Sequence, residues 1–329
     1  MEKLKKSLKN CDKNTVTLLG IAVGIVVIMA MITPDFLQGS NISSMAFQFP
    51  EFGILCFGMM FCMIADGIDL SLVGTANLSG IVAAVIIMSM GGSPVSIIIA
   101  IIAAILVGAL CGLVNGYLIG QLQIPAMLVT LCGGQLYTGL GVAITKGPAI
   151  TGLPDSLQKI GNGSIGGLIP YSSIIFVAIA VGMNFILKYT VFGKQLCFMG
   201  SNATASRYAG INNLRITLLT YMLSGILAAV AGIIIISHYG SAKSDYGTSY
   251  TLLTLLIVVL GGVAPSGGRG KVLGVALAIV ILQLISSAFN ILRFDSFFKT
   301  LVWGLLLIVV MVAKAIIQAH PIKFRRKLS

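Results

Sequence analysis

Two carboxylates that could bind a proton or a cation lie close together in the stretch ADGIDLSLVGTANLSG, residues 65–80. Asp66 and Asp69 are flanked by apolar runs, and ionisable side chains at membrane depth are costly and usually functional. A structural role competes with this one, because Asp69, followed by Leu70 and Ser71, can cap the start of the next helix. The pattern favours capping by Asp69 and leaves a proton- or cation-binding pair as the alternative.

The sequence supports no catalytic site, metal site or cofactor. Gly267, Gly268, Arg269, Gly270 and Lys271 lack the spacing and the Ser or Thr of a phosphate-binding loop, so this chain should not bind ATP in the usual way. With two His and six Cys, none of them in a CxxC pair, we expect no metal centre and no disulfide. The cysteines, most of them inside apolar runs, should be small buried residues. Neither a Ser–His pair nor facing aspartates point to a membrane protease.

A second set of candidates consists of polar residues inside apolar runs. Such residues can line a path through the membrane, or they can form hydrogen bonds between helices. Both roles remain open for Asn77, Asn115, Thr130 and Gln135.

The elements that must position these residues are transmembrane helices. The chain is 57% hydrophobic and only 9% charged, which is too little charge for the surface of a soluble protein of 329 residues. We therefore expect one all-α, polytopic domain with about ten spans, several shorter than the ~20 residues of a straight crossing. The apolar runs cover residues 16–32, 50–66, 70–90, 95–120, 124–145, 170–190, 213–237, 250–263, 271–291 and 296–316.

Basic residues next to the apolar runs predict the orientation of the chain in the membrane. They also explain the net charge of +12 as a property of cytoplasmic loops, so nucleic-acid binding is not needed to explain it. With ten spans and a cytoplasmic N-terminus (1–15), sixteen of the 21 Lys and Arg fall on the cytoplasmic side and five outside. Both termini, the loop 188–213 and the basic tail 317–329 should then be cytoplasmic. The Gly- and Pro-rich loop 146–169 should be external, and its length suggests a function or a small element of its own.

The segment Gly200–Gly225 is hydrophilic and basic in an otherwise apolar chain. Ser201 or Asn202 can cap a helix start, residues 203–209 are Ala-rich, and Gly210 can stop a helix. The pattern predicts a helix of one or two turns outside the bilayer; an ordinary loop is the alternative. Separately, glycines at 108, 112, 116 and 120 form a stripe that predicts close packing against another helix.

Three stretches resemble ribose-type sugar permeases of ABC importers. GIDLS at 67–71 is similar to a signature of that family, in which Gly67, Asp69 and Ser71 take part. NATASRYAGINNLRITLLTYMLSGILAAVAG at 202–232 is similar to its cytoplasmic segment and following helix. LTLLIVVLGGVAPSGGRGKVLGVALAIVIL at 253–282 matches its LGG-x-x-x-SGG-x-G pattern through Gly261, Gly262, Gly267 and Gly268.

The resemblance implies a permease subunit in the bacterial plasma membrane with a fold like that of the vitamin B12 importer (type II) permeases. Its partners would be a separate ABC ATPase, an extracytoplasmic sugar-binding protein and a second permease, either a copy or a paralogue. The short cytoplasmic helix would dock into the ATPase through Ser201, Asn202, Ala203, Ala205, Arg207 and Gly210. The substrate would be a monosaccharide or a similar small sugar.

Two other functions stay open. A secondary transporter could use Asp66 and Asp69 with an ion gradient, and an ABC permease of this kind could import branched-chain amino acids. The sequence does not choose the sugar, because selectivity resides largely in the binding protein. Co-purification of an ATPase would separate the ABC permease from the secondary transporter.

Overall fold

Helices dominate the computed structural model, which describes residues 13–167 and 169–319. The helices of these residues are α1 Lys13–Ile32, α2 Gly39–Ile64, α3 Leu72–Ser89, α4 Pro94–Gly120, α5 Ala126–Thr145, α6 Asp155–Asn162, α7 Tyr171–Tyr189, α8 Val191–Ser201, α9 Ala203–Tyr208, α10 Asn213–Tyr239, α11 Tyr250–Leu260, α12 Val272–Ile291 and α13 Ser296–Ala319, with a 3-10 turn at Pro34–Leu37. Four short strands form two antiparallel pairs, Ile150–Thr151 with Ser241–Ala242 and Ser164–Ile165 with Ile169–Pro170.

Eight helices within the described residues are long and apolar enough to cross a membrane, namely α1 to α5, α7, α10 and α12. Two shorter apolar helices, Tyr250–Leu260 and Phe297–Val312, correspond to the remaining predicted runs. The all-α, polytopic prediction is therefore confirmed. The basic cluster before residue 13 and the tail after residue 319 lie outside the described residues.

The predicted start of the second span at residue 50 is wrong. Helix α2 begins eleven residues earlier, at Gly39, and continues through Pro50. Its first turns are polar, but partners elsewhere in the protein bind them: the Ser287 hydroxyl donates to Asn41, and the Gln283 amide donates to Gln48. Hydropathy does not predict residues 39–49 as part of α2, because hydrogen bonds to α12, and not apolar side chains, stabilise these turns.

The core surrounds α2, which is buried at every residue from Pro50 to Ile64. In contrast, α4, α5 and α7 expose large apolar side chains, among them Leu106, Leu128 and Val181, as lipid-facing helices do. The cysteine prediction needs one correction: Cys56, Cys62 and Cys111 are buried, Cys197 is half-buried and Cys132 is exposed.

The glycine stripe of α4 packs against α10, as predicted. A Cβ at Gly112 would overlap the backbone of Tyr221, and one at Gly108 would overlap that of Gly225. Backbone contact this close is available only to glycine, and it replaces the hydrophobic drive that lipid cannot supply between helices.

Connections between the helices gather at two opposite ends of the bundle. At one end the loop 146–170 meets residues 237–242, where the Asn162 amide donates to the Ser237 and His238 carbonyls. At the other end, segments 65–71, 199–215 and 262–271 come together. The basic residues at the first end are Lys146, Lys159, Lys243, Arg293 and Lys299, and those at the second end include Lys188, Lys194, Arg207, Arg215, Arg269 and Lys271.

Candidate functional site

The short helix α9 is built by local signals at both of its ends. The Asn202 side chain accepts a hydrogen bond from the Ala205 backbone N–H at 2.9 Å and so caps the helix start. Ser201 does not cap it, because its hydroxyl donates to the Cys197 carbonyl instead. Gly210 has a φ of +79° and ends the helix in a Schellman motif: Gly210 N–H donates to Arg207 and Ile211 N–H donates to Ser206.

Two side-chain hydrogen bonds fix α9 on the start of α10. The Ser206 hydroxyl, 0% exposed, donates to Asn213, and the Asn213 amide donates to the Ala203 carbonyl. The rest of the short helix faces outward: Ala203, Ala205, Arg207 and Tyr208 are exposed, Tyr208 to 89%. A rigidly held helix that buries almost none of its outer face is typical of a docking element.

Three motif segments meet where α9 joins the bundle. The Gly268 N–H donates to the Ile64 carbonyl at the end of α2, at 2.9 Å. Gly267 and Gly268 have φ values of +75° and +76° and lie against Asp66 and Ser201, respectively, with too little room for a side chain. Displacement of α9 would therefore be passed through backbone contacts to α2 and to the connection between α11 and α12.

The remaining family-signature glycines allow close approach. Gly261 lies at the end of α11 against the backbone of Gly274, and Gly262 continues the turn with a φ of +90°. Gly67 leaves space for the Tyr221 hydroxyl. These residues shape the second end of the bundle and offer no reactive group.

Asp66 and Asp69 do not form a pair that shares a ligand. Asp66 is exposed beside α9, and partial burial raises the pKa of its carboxyl above the usual value. Asp69 is 2% exposed, and its oxygens accept bonds from the Ser71 N–H (3.0 Å), the Ser71 hydroxyl (2.6 Å) and the Ser224 hydroxyl of α10 (2.7 Å). The predicted capping by Asp69 is wrong: the N-cap of α3 is Ser71, and no side chain caps this helix. The bond from the Ser71 N–H to Asp69, two residues earlier, instead forms an Asx-turn just before the helix.

A buried network extends from Asp69 to two more helices, α4 and α5. The Asn115 amide of α4 donates to the Ser71 hydroxyl at 2.8 Å. The Tyr137 hydroxyl of α5 lies 2.9 Å from Asn115 Oδ1, to which it donates, and 3.0 Å from the Cys111 carbonyl. Asn115 is 1% exposed, so its polar atoms are used between helices. Thr130 is likewise buried, and its hydroxyl donates to the Ile68 and Ala126 carbonyls.

The other two polar candidates belong to an open cavity of about 390 Å³ beside α5. Gln135 and Thr138 of α5 line it opposite Ser244, Thr248 and Thr251. Asn77, 3% exposed, supports the far wall, because its amide donates to the Ser244 and Tyr246 carbonyls at 2.8 and 2.9 Å. Segment 240–249 thus enters the bundle as irregular backbone, which is tolerated at membrane depth only where protein or a polar cavity satisfies it.

One cluster was missed by sequence reasoning. Glu51 in the middle of α2 is 3% exposed, and its carboxylate is bonded to His238 and Tyr250, which lie 187 and 199 residues away. A lone Glu inside an apolar run is itself a signal of function. The sequence pattern drew attention to the carboxylates at 66 and 69 instead, because they stand close together between two apolar runs.

Known membrane permeases are similar to the chain along most of its length. A family model described as "Branched-chain amino acid transport system / permease component" matches residues 41–311. The ribose import permease protein RbsC of Bacillus subtilis (strain 168) is 35% identical over 88% of this chain and 89% of its own length. The L-arabinose transport system permease protein AraH of Escherichia coli (strain K12) is 31% identical over 86% of this chain and 85% of its own length. No solved structure is significantly similar.

Proposed function

The chain belongs to the transport permease family whose model matches residues 41–311, and we propose that it is the permease subunit of an ATP-driven, binding-protein-dependent importer of a monosaccharide or similar small sugar. The observation that carries this proposal is its similarity, over at least 85% of both chains, to permeases named for ribose and arabinose import. It is a transporter subunit and not an enzyme; a separate ATPase hydrolyses ATP.

The alternatives have less support. A carrier that uses Asp66 and Asp69 together would need them at one site, but one is exposed and the other is held by two serines. Branched-chain amino acids appear in the family description, whereas the similar relatives named above are sugar permeases. Sugar import is therefore favoured over both.

In this proposal α9 docks into the ATPase. Closure of the ATPase on ATP moves α9 as a rigid element, because Asn202 and Gly210 fix its two ends. Ser201, just before α9, lies against Gly268, and the contact of Gly268 with Ile64 then carries the movement to α2. Such coupling needs an element with two arrangements, and a rigid-body shift of α9 against the bundle supplies one.

The sugar path runs past Gln135, at the interface with a second permease, a copy or a paralogue. The cavity beside α5 supports this proposal because it lies open on the side of the bundle and presents an amide and several hydroxyls among apolar side chains. Amide and hydroxyl groups donate and accept hydrogen bonds, as sugar hydroxyls require. Asn77, Asn115 and Thr130 serve the path indirectly, by holding its walls.

The subunit lies in the bacterial plasma membrane with both termini in the cytoplasm. Support comes from the basic residues, which are concentrated around α9 and in the two terminal segments. The loop 146–169 then faces the binding protein, and the loop 188–213 faces the ATPase.

The proposal is tested in proteoliposomes that contain the permease, its ATPase and its binding protein. We expect labelled ribose or arabinose to accumulate only with ATP inside and binding protein outside, and ionophores to have no effect. Leucine uptake in place of sugar would identify the amino-acid alternative. Uptake by the permease alone, driven by a proton or sodium gradient, would contradict the proposal.

Labelling in intact cells tests the orientation. In a Cys-less variant, Asp155→Cys should react with an impermeant thiol reagent, and Tyr208→Cys should react only after the membrane is opened. Both positions are exposed in the structure, so a lack of reaction reports the side of the membrane and not burial. The reverse pattern would overturn the topology.

Gln135→Leu should lower sugar uptake about three- to tenfold, the effect of losing one net hydrogen bond of about 1 kcal/mol to the passing sugar. The change keeps the size of the side chain and its exposed position, so folding should persist. Gln38→Leu, an exposed glutamine remote from this cavity, is the matched control and should transport normally. Equal uptake by the two variants would remove Gln135 from the path.

A further inference from the structure

A separate cavity, which is more polar than the one beside Gln135, lies at the end of the bundle that carries the loop 146–170. Its volume of about 520 Å³ is within the ~300–1,000 Å³ range of small-molecule sites. It lies between α2, α12 and the starts of α11 and α13, and it shares no lining residue with the cavity beside Gln135. Nothing in the proposed coupling or path uses it.

The buried carboxylate of Glu51 organises one wall. Its Oε1 lies 2.5 Å from His238 Nδ1, and its Oε2 accepts the Tyr250 hydroxyl at 2.9 Å. These two bonds orient the His238 ring and the Tyr250 hydroxyl toward Glu51. Because both carboxyl oxygens already have protein partners, the wall is poorly suited to a metal ion.

The opposite wall presents amides and an ammonium group. The amide of Gln283, 4% exposed, donates to the Gln48 carbonyl oxygen at 3.3 Å, a long bond that leaves both amides capacity for further bonds. Asn290 is exposed and accepts a bond from Lys299 Nζ. The cavity therefore combines acceptors and donors on facing sides.

An aromatic side chain completes the cavity. Trp303 is 8% exposed, lines the cavity and packs at 6.0 Å between ring centroids against Phe289. Its large apolar face can cover the C–H side of a compact ligand whose hydroxyls bind the amides. This combination fits a neutral molecule with many hydroxyl groups better than a lipid tail or an ion.

We propose that this cavity binds one sugar of monosaccharide size, at a site separate from the path beside Gln135. The proposal rests on sugar import as the proposed function, which brings sugar to this end of the bundle. The start of α11 separates the two cavities: Ser249, Tyr250 and Leu253 face one, and Thr248, Thr251 and Leu252 face the other. A sugar bound at Glu51 can therefore influence the path through α11.

The chain provides its own probe, because Trp303 is its single tryptophan. The full-length permease in detergent micelles, which add no tryptophan, should show a saturable change in tryptophan fluorescence when ribose or arabinose is added, without ATPase or binding protein. No saturable change for either sugar up to about 100 mM, far above the millimolar Kd of a weak complex, would overturn the proposal.

Glu51→Gln should weaken the fluorescence-detected affinity about tenfold, because an amide nitrogen replaces one acceptor oxygen and so breaks the arrangement of His238 and Tyr250 that forms this wall. Asp155→Asn removes an exposed carboxylate at the same end of the bundle and is the matched control, with an unchanged titration. If Glu51→Gln does not fold, Asn290→Ala provides the test, because Asn290 is exposed and its replacement should not disturb folding. We expect it to weaken sugar binding severalfold. An unchanged titration in the folded variants would show that the signal arises elsewhere.

Uptake assays separate this proposal from the proposed function. If ATP-dependent sugar uptake proceeds but Trp303 does not respond to sugar, only the second site is disproved. If the permease imports leucine and not sugar, the proposed function fails first, and the fluorescence titration still reports whether the cavity binds sugar.

Discussion

Gly210→Val is expected to abolish sugar uptake in reconstituted vesicles while the permease stays folded and dimeric. Gly210 has a φ of +79°, and no atom lies within 4 Å of the position that a Cβ would take. The substitution therefore acts through the backbone and not through a clash, because left-handed φ values cost L-residues about 1–2 kcal/mol and β-branched residues still more. Helix α9 has only six residues and little other stabilisation, so loss of its Schellman motif should displace it.

The measurement is sugar uptake together with ATP hydrolysis. A coupling defect appears as lost uptake with normal amounts of folded permease and with ligand binding by the binding protein unaffected. Gly210→Asn should retain most of the uptake, since asparagine tolerates the left-handed region. Gly182→Val in α7 is a control for the added bulk, because that position also has no neighbour within 4 Å and no positive φ.

Ala205→Trp tests the same element by bulk. Ala205 is exposed, and only its backbone takes part in the cap, so the indole should leave α9 formed but prevent close docking. Uptake should be lost, and less ATPase should co-purify. Wild-type transport by both Ala205→Trp and Gly210→Val would mean that α9 does not couple the permease to the ATPase.

Local signals explain why the sequence located this element well. The cap at Asn202 and the stop at Gly210 each act over three or four residues, and the structure contains both. Most span boundaries agree with the predicted runs to within about three residues, because continuous apolarity and its interruption are also local.

Contacts between residues far apart in the chain could not be predicted from such local signals. The pairing of Glu51 with His238 and Tyr250 and the support of segment 240–249 by Asn77 join residues far apart in the chain. Neither leaves a periodic pattern. The polar residues inside apolar runs were found, but whether they face a cavity or a neighbouring helix depends on packing. The structure therefore separates Gln135 from Asn115 and Thr130, where the sequence grouped them.

Asp69→Ala should sharply reduce the amount of folded permease. The carboxylate accepts the Ser71 N–H and hydroxyl and the Ser224 hydroxyl, so its removal leaves buried donors without acceptors where water cannot reach them. Breaking a buried network of this kind costs about 3–5 kcal/mol, a large part of the ~5–15 kcal/mol that stabilises a typical domain. The loss should spread to Asn115 and Tyr137, since Ser71 connects them to Asp69.

Asp69→Asn should reduce the amount of folded permease less than Asp69→Ala does, because the amide oxygen of asparagine can still accept a hydrogen bond from Ser71 although the carboxylate is lost. We expect an intermediate loss of folded protein, about 1–3 kcal/mol, with near-normal uptake per assembled complex. Size-exclusion chromatography in detergent gives the folded fraction, and vesicle uptake is normalised to it. Asp66→Asn, three residues away but exposed, is the matched control and should fold normally. If Asp69→Asn assembled in full and lost only uptake driven by a proton gradient, Asp69 would be a proton-binding residue and not the structural centre of this network.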